Sequence, residues 1–591
     1  MAFAAVWPGG AEKAAEPVYH ESIPIATVGE GTIDLGLRLD PISAAMLLVI
    51  TVVALCVQVF SLGYMRKDPR VGWYYAVLSL FTAAMLALVL ADNFLMLYIM
   101  WEIMGLCSYL LIGFWHEKEG PRKAALKAFL TTRVGDIGFA IGLFVMFVTV
   151  GSFEFDAVLG SAAEWAPGVA TTVALLLFFG AMGKSAQVPL HVWLPDAMAG
   201  PTPASALIHA ATMVAAGVYL VARSMPIFEA SGVALQVVLV VGLITAIVGG
   251  LLALVQHDIK KVLAYSTISQ LGYMFIALGV GSVIAGMYHL ITHAFFKSLL
   301  FLAAGVLIHA YHNQDMRKMG GAARALPITS AVFAVGSLAL AGIFPFSGFW
   351  SKDEIILVLT KDGHYLAAAG ALFAGFITAF YVARLWFRVF TRKPQAKGLH
   401  EAKVGKLAPM CVLAAITAVI GFFGPTLGDF LGYKIPWPDL VVAAVSSAVA
   451  VAGLAAGWWA YGRKGGEIDT GAVKARLGAV YSALVAKLYF DEMYQRLAVR
   501  PFTRAASGLS VFDISRIDWL VDGAAKAWNA VARVSWRFDD RAVDGGVNGV
   551  AAAIWAFGKR ARSIQSGRIQ TYQQLALVAV VLLLVFVVVK G

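Results

Sequence analysis

The chain predicts an all-α protein that crosses a membrane many times, and three observations carry the prediction. Of its 591 residues 60% are hydrophobic and only 14% charged, well below the charge content of a soluble chain. Apolar runs of about twenty residues, enough to cross some 30 Å of hydrocarbon, recur almost end to end. Lysine and arginine crowd alternate loops between those runs and are scarce in the others.

Fourteen spans are expected: 42–63, 73–91, 93–114, 125–150, 168–188, 202–224, 232–254, 259–282, 283–311, 326–349, 365–390, 406–430, 438–462 and 570–589. The basic loops hold Arg66, Lys67 and Arg70; Lys118, Arg122 and Lys123; Lys260 and Lys261; Arg317, Lys318 and Arg324; and the run from Arg392 to Lys406. The positive-inside rule puts these in the cytoplasm and both termini outside. MAFAAVWPGGAEK lacks the basic start and apolar core of a cleaved signal, so residues 1–41 read as an outward-facing N-terminal segment.

A peripheral first span and its loop occupy 42–72. Two blocks of five spans follow, 73–226 and 227–390. In each the fourth span joins a lysine to a helix breaker, Lys184 before Pro189 and Lys352 after Pro345. A repeat with an odd number of spans must invert in the membrane, so two inverted five-helix repeats, each with a broken helix, are expected. Residues 391–462 add two spans and 569–591 a final anchor. Between them, 463–568 mixes arginine and aspartate with tryptophan at near-helical spacing. It is too polar to cross lipid and too apolar to be a free tail. A long lateral amphipathic helix on the cytoplasmic face fits, about 75 Å for fifty residues, bracing neighbouring subunits. A cap of short helices, broken at Gly545, Gly546 and Gly549, is the alternative.

The three cysteines, Cys56, Cys107 and Cys411, are far apart with no metal-ligand spacing, which argues against a disulfide framework, an iron–sulfur cluster or zinc. The net charge of +11 flanks spans instead of forming a soluble patch, so no nucleic-acid partner is expected; the partner is the bilayer.

Ionised groups inside a membrane cost about 2.5–3.5 kcal/mol each even on a lenient scale, so several in one chain point to a path for charge. Glu102 in YIMWEIMGLCSYLL is expected to pair with Lys184, as a switchable proton site or as a static ion pair. His289, His293 and Lys297 fall at i, i+4 and i+8 on one helical face. That stripe suits a proton wire, or histidines bonded to carbonyls; without a carboxylate or cysteine nearby it is a poor metal site. His209, after a segment broken by four prolines, would join Lys184 to the stripe. Arg133 with Asp136 reads as a structural pair or as a tuner of Lys184. Asp258, Lys260 and Lys261 read as a proton mouth or as topogenic charge. Lys352, beside Asp353 and Glu354, reads as a release site or as a lysine snorkelling outward.

WEIMGLCSYLLIGFW, LTTRVGDIGF, GKSAQVPLHVWLPDAMAGPTPASALIHAATMVAAGVYLVAR, DIKKVLAYSTISQLGYM and HLITHAFFKSLLFLAAG resemble the antiporter-like subunits of respiratory complex I, most of all the distal L, or subunit 5, type. LYFDEMYQRLAVRPF and the amphipathic stretch after it match that type's lateral helix, which runs beside the adjacent antiporter-like subunits. The resemblance implies a proton-translocating subunit of an NADH:quinone oxidoreductase in a bacterial inner membrane. The enzyme's NADH, FMN, iron–sulfur clusters and quinone would be bound by partner subunits, with no cofactor here. It implies that Glu102 and Lys184 form the charged pair of the inward half-channel. His209, His289, His293 and Lys297 would form the central axis and Lys352 the outward half-channel, with Asp136 and Asp353 tuning the lysines. Family members usually have sixteen spans, and this chain lacks the first two. A related membrane-bound hydrogenase, a reduced-deazaflavin dehydrogenase or a multisubunit sodium/proton antiporter shares the core and stays as the alternative.

Overall fold

The computed structural model describes residues 19–28, 31–396, 398–463 and 470–591. Parts of the expected N-terminal segment and of the 463–568 connector therefore lie outside the described residues. The chain divides into two units, Met1–Asp491 and Glu492–Gly591.

Among the described residues the first unit opens on a hairpin. Strands β1 (Tyr19–Val28) and β2 (Gly31–Leu39) pair antiparallel, Tyr19 opposite Leu39. The chain turns directly into helix α1 (Pro41–Tyr64) through a reciprocal cap: Ser43 N–H donates to Asp40 Oδ1 (3.0 Å) and Asp40 N–H to Ser43 Oγ (2.8 Å). Arg223 holds the same aspartate, tying the hairpin's end to the bundle.

The first block comprises α2 (Val71–Val89), α3 (Phe94–Ile112), α4 (Glu119–Val150) and α5 (Pro167–Lys184), a break over 185–201, then α6 (Thr202–Ala210) and α7 (Met213–Arg223). The second comprises α8 (Gly232–Val255), α9 (Ile259–Gly279), α10 (Val283–Tyr311), α11 (Pro327–Ala341), α12 (Ser347–Lys361) and α13 (Tyr365–Trp386). Helices α14 (Val404–Val419) and α15 (Leu440–Tyr461) complete the unit. Side-chain caps mark several starts: Asn93 accepts from Met96 N–H and Asp258 from Lys260 N–H.

Among the described residues 13 helices are long and apolar enough to span a membrane, against fourteen expected. The difference is the span expected over 326–349. It is two pieces, α11 and α12, parted by Gly342, whose φ of +80° suits a residue without a Cβ. Each piece is too short to cross alone.

Burial is graded. The apolar windows of α6–α7 and α9 are 100% buried and that of α10 94%, whereas α15 is only 17% buried. Helix α10 touches α1, α6, α9, α11, α12 and α14, so it is the hub of the bundle. The helices that carry His209, His289, His293 and Lys297 are thus among the most enclosed, as polarity at membrane depth requires.

In the second unit, α16 (Arg500–Phe512), α17 (Asp518–Phe538) and α18 (Gly545–Ile564) follow one another through π-turns at Asp513–Ile517 and Asp539–Asp544, with helical backbone at each junction. The run is about 98 Å at 1.5 Å per residue, longer than expected, and the glycines at 545, 546 and 549 do not interrupt it. After it comes α19 (Ile569–Lys590), apolar and exposed throughout.

Candidate functional site

The first-block site is built on close helix approach. A Cβ at Gly135 of α4 would stand 2.8 Å from the Phe179 carbonyl, and one at Gly180 of α5 2.8 Å from the Phe139 Cβ. Small residues therefore let the two backbones meet. At their meeting point Lys184 Nζ lies 3.0 Å from Asp136 Oδ2, both side chains only 1% exposed. Trp101 Nε1 donates to Asp136 Oδ1 at 2.6 Å. The Lys184 ammonium stands 5.8 Å from the Trp101 ring centre, in space kept open by Gly105, where a Cβ would be 2.6 Å from Nζ.

This exchanges the partners expected from the sequence. Glu102 Oε2 pairs with Arg133 Nη1 at 2.6 Å, not with Lys184, and Asp136 takes Lys184, not Arg133. The reason is helical phase. Residues 101 and 102 point about 100° apart, so Trp101 turns into the α4–α5 seam while Glu102 turns toward Arg133, one turn before Asp136 on α4.

The break after Lys184 is satisfied by side chains. Trp193 Nε1 donates to the Gly183 carbonyl (2.9 Å), and Val188 N–H to Thr245 Oγ1 (3.0 Å). Lys260 Nζ donates to the carbonyls of Met198 (2.6 Å) and Gly200 (2.8 Å). Lys260 is buried, so it belongs to the interior, unlike the boundary charge expected. His209 lies between the Trp193 and Phe301 rings, 6.5 and 5.4 Å between centroids. Neither of its nitrogens has a protein partner, an uncommon state for a buried imidazole.

On α10, His289 Nδ1 meets Ser351 Oγ at 2.9 Å and Nε2 meets Gln270 Oε1 at 3.2 Å. Thr292 Oγ1 meets the same Ser351 hydroxyl at 2.8 Å. The His293 ring centre is 6.3 Å from that of His289, and its Nε2 has no protein partner. Lys297 donates to the Leu263 carbonyl (3.1 Å) and the Ser266 hydroxyl. Ser266, Gln270 and Ser351 were not singled out from the sequence. The signal was there, since Ser266 and Gln270 are i, i+4 on one face of α9.

In the second break Lys352 Nζ donates to the Leu340 carbonyl at 2.6 Å and stands 5.4 Å from the Tyr273 ring centre. It is buried and bound inward, so it does not snorkel. Among the described residues no carboxylate lies within ion-pair reach of it. Asp353 points elsewhere and accepts from Ser446 Oγ at 2.7 Å, its Oδ2 unpaired. The two lysines at the breaks thus differ: one has a counterion, the other carbonyl dipoles alone.

Near the start of α4, Lys127 joins Asp196 (2.6 Å) and Asp491 (2.5 Å), and Asp491 also takes Lys487 at 3.2 Å. Burial pushes the Asp491 carboxyl up, but its two lysines outweigh this and hold it below the usual carboxylate range. At the start of α9, burial and the nearby Arg384 push the His257 imidazole down to about 4. No cluster of three or more metal-ligating side chains occurs among the described residues.

The family model for the transmembrane part of NADH:quinone oxidoreductases and Mrp antiporters matches residues 91–378. The model for the N-terminus of complex I chain 5 matches 25–75. NAD(P)H-quinone oxidoreductase chain 5 of Picosynechococcus sp. is 38% identical, over 95% of this chain and 88% of its own. NADH-quinone oxidoreductase subunit L of Mycobacterium tuberculosis is 39% identical, over 93% and 86%. Among solved structures, the Mrp complex of Dietzia sp. aligns with a TM-score of 0.74 at 26% identity over 89% of this chain; this chain covers 59% of that one. Spans, breaks and relatives agree: the chain belongs to the subunit L (chain 5) family of antiporter-like membrane subunits of NADH:quinone oxidoreductase.

Proposed function

We propose that this chain moves protons across the membrane along the buried series Lys184, His209, His293, His289 and Lys352, with Lys297 beside it. The observation that carries the reading is the burial of all six groups inside the bundle, several of them joined through a shared neighbour. Trp193 bonds to the carbonyl next to Lys184 and stacks on His209. His289 reaches Ser351, the residue before Lys352. Imidazole both donates and accepts, so each histidine can pass a proton without net charge movement of its own. Glu102, held by Arg133, and Asp136, held by Lys184, are two ion pairs side by side. A shift in one changes the field at the other, and Asp136 is the residue through which Lys184 is tuned. Asp353 acts on Lys352 only through its field, since Ser446 and not the lysine holds its carboxylate.

Electron transfer from NADH through FMN and iron–sulfur clusters to quinone belongs to partner subunits. Moving one charge across 100 mV takes about 2.3 kcal/mol, a scale that breaking and remaking a buried ion pair readily meets. The chain lies in a bacterial inner membrane with both termini outside, its two five-helix blocks inverted on one another. The run from Arg500 to Ile564 lies along neighbouring antiporter-like subunits. Vesicles holding the assembled complex test the path. Lys184→Ala and Lys352→Ala should each lose most proton uptake per electron, and wild-type yields from both would refute it. The likeness to the Mrp structure favours one second reading, sodium/proton exchange; sodium-dependent transport with no electron donor present would select it.

A further inference from the structure

The exposed helix of the second unit carries a repeat that proton transfer does not use. FDISRIDWLVDGAA (512–525) and FDDRAVDGGVNGVA (538–551) share Phe, Asp, a second Asp, Val, Gly and Ala at one spacing, 538 − 512 = 26 residues apart. In each copy the aspartate after the phenylalanine opens a π-turn, Asp513–Ile517 and Asp539–Asp544. A π-turn takes up about one extra residue. Discounting the first leaves about 25 residues of ordinary helix, close to seven full turns. The two Phe–Asp pairs therefore face the same way, about 39 Å apart; without the π-turn they would diverge by about 80°. Phe512 and Phe538 are 55% and 67% exposed.

The first unit contains two more Phe–Asp pairs: in one, Asp156 takes Arg38 at 2.8 Å beside the hairpin, and in the other, Phe490–Asp491, the pair bears on the broken helix. The Phe490 ring stands edge-on to His191, 4.7 Å between centroids, while Asp491 takes Lys127 at 2.5 Å. His191 lies in the break after Lys184 and Lys127 on α4, so the pair clamps a helical segment onto the broken part of a membrane bundle.

We infer that Phe512–Asp513 and Phe538–Asp539 are two further clamps of this kind. Each sits on the broken helix of a separate bundle of this family's fold, against a lysine and a ring placed as Lys127 and His191 are here. The inference rests on the assembly proposed above and adds the register and chemistry of contact. Helices pack 8–10 Å apart, so about 39 Å is some four helices, the width of one bundle.

Zero-length carbodiimide coupling of the purified whole complex joins a carboxylate to a lysine only where the two touch. Asp513 and Asp539 should couple to lysines of two different subunits, each at the position aligned with Lys127, alongside the internal Asp491–Lys127 link. Asp513→Asn and Asp539→Asn should each lose only their own link. The clamps are overturned if both aspartates couple to one subunit or to a second copy of this chain. They are equally overturned if the aspartates couple to other lysines, or to none while the Asp491 link forms. A purified complex with no related bundle in it would remove the assembly reading as well.

Discussion

Lys184 is held at three points, by the Asp136 carboxylate, the Trp101 face and the room left by Gly105, and each can be removed separately. Asp136→Asn leaves a buried ammonium with no counterion and should cost about 3–5 kcal/mol, read by denaturant titration in detergent. Gly105→Ala places a methyl where the ammonium stands. It should cost about 1–3 kcal/mol and abolish most pumping while the complex still assembles, which separates displaced charge from failed folding. Outside the spans, His257 is neutral in the fold because its imidazole is pushed down to about 4. An unfolded histidine titrates near 6.5, so below that pH the unfolded chain binds the proton first. The stability this residue lends is complete above about pH 6.5 and is lost as pH falls toward 4. Hydrogen exchange at 256–258 should therefore rise between pH 7 and 5 in wild type, and much less in His257→Gln. The charged residues stood out in the sequence because lipid leaves few reasons for a lysine at mid-span. The sequence could not pair them, since whether Glu102 or Asp136 reaches Lys184 depends on the rotation of α3 and on glycine contacts between α4 and α5.

Broken helices need outside help, and what supplies it differs between the two blocks. The first break leans on Trp193, Thr245 and Lys260; the second is a short turn at Gly342 whose upstream carbonyl, Leu340, takes Lys352. Lys260→Met should release the Met198 and Gly200 carbonyls, at about 1.5–3 kcal/mol for each charged hydrogen bond lost, and hydrogen exchange over 196–201 should accelerate. Faster exchange at α12 instead would show that Lys260 acts elsewhere. Both breaks were legible from the pairing of lysine with proline in the sequence, because proline in mid-span removes a backbone donor and disfavours a continuous helix. Lys260 was not, because a lysine one turn inside a helix start looks the same whether it faces water or turns inward. The hairpin at 19–39 was missed although its signal was present, since Ile33, Leu35, Leu37 and Leu39 alternate with Asp34, Gly36 and Arg38.

Across the whole molecule, all but one of the expected spans and the long C-terminal helix followed from composition and periodicity, since both are set by lipid thickness and helix geometry. Which helices lie at the centre did not. Burial rises inward from α15 to α10, and only the contacts among helices reveal that order. The exposed α19 predicts a dependence on surroundings: a chain ended after residue 568 should keep its bundle fold but co-purify with fewer membrane subunits, which mass spectrometry of the native complex would count. The graded burial has a further consequence for any scan of substitutions. Tolerance should map as concentric rings, with apolar exchanges nearly silent on α15, moderately costly on α3 and α13, and severe on α9 and α10 even where no charge is touched. Such a map, drawn from growth alone, would locate the buried polar centre of the bundle without any measurement of transport.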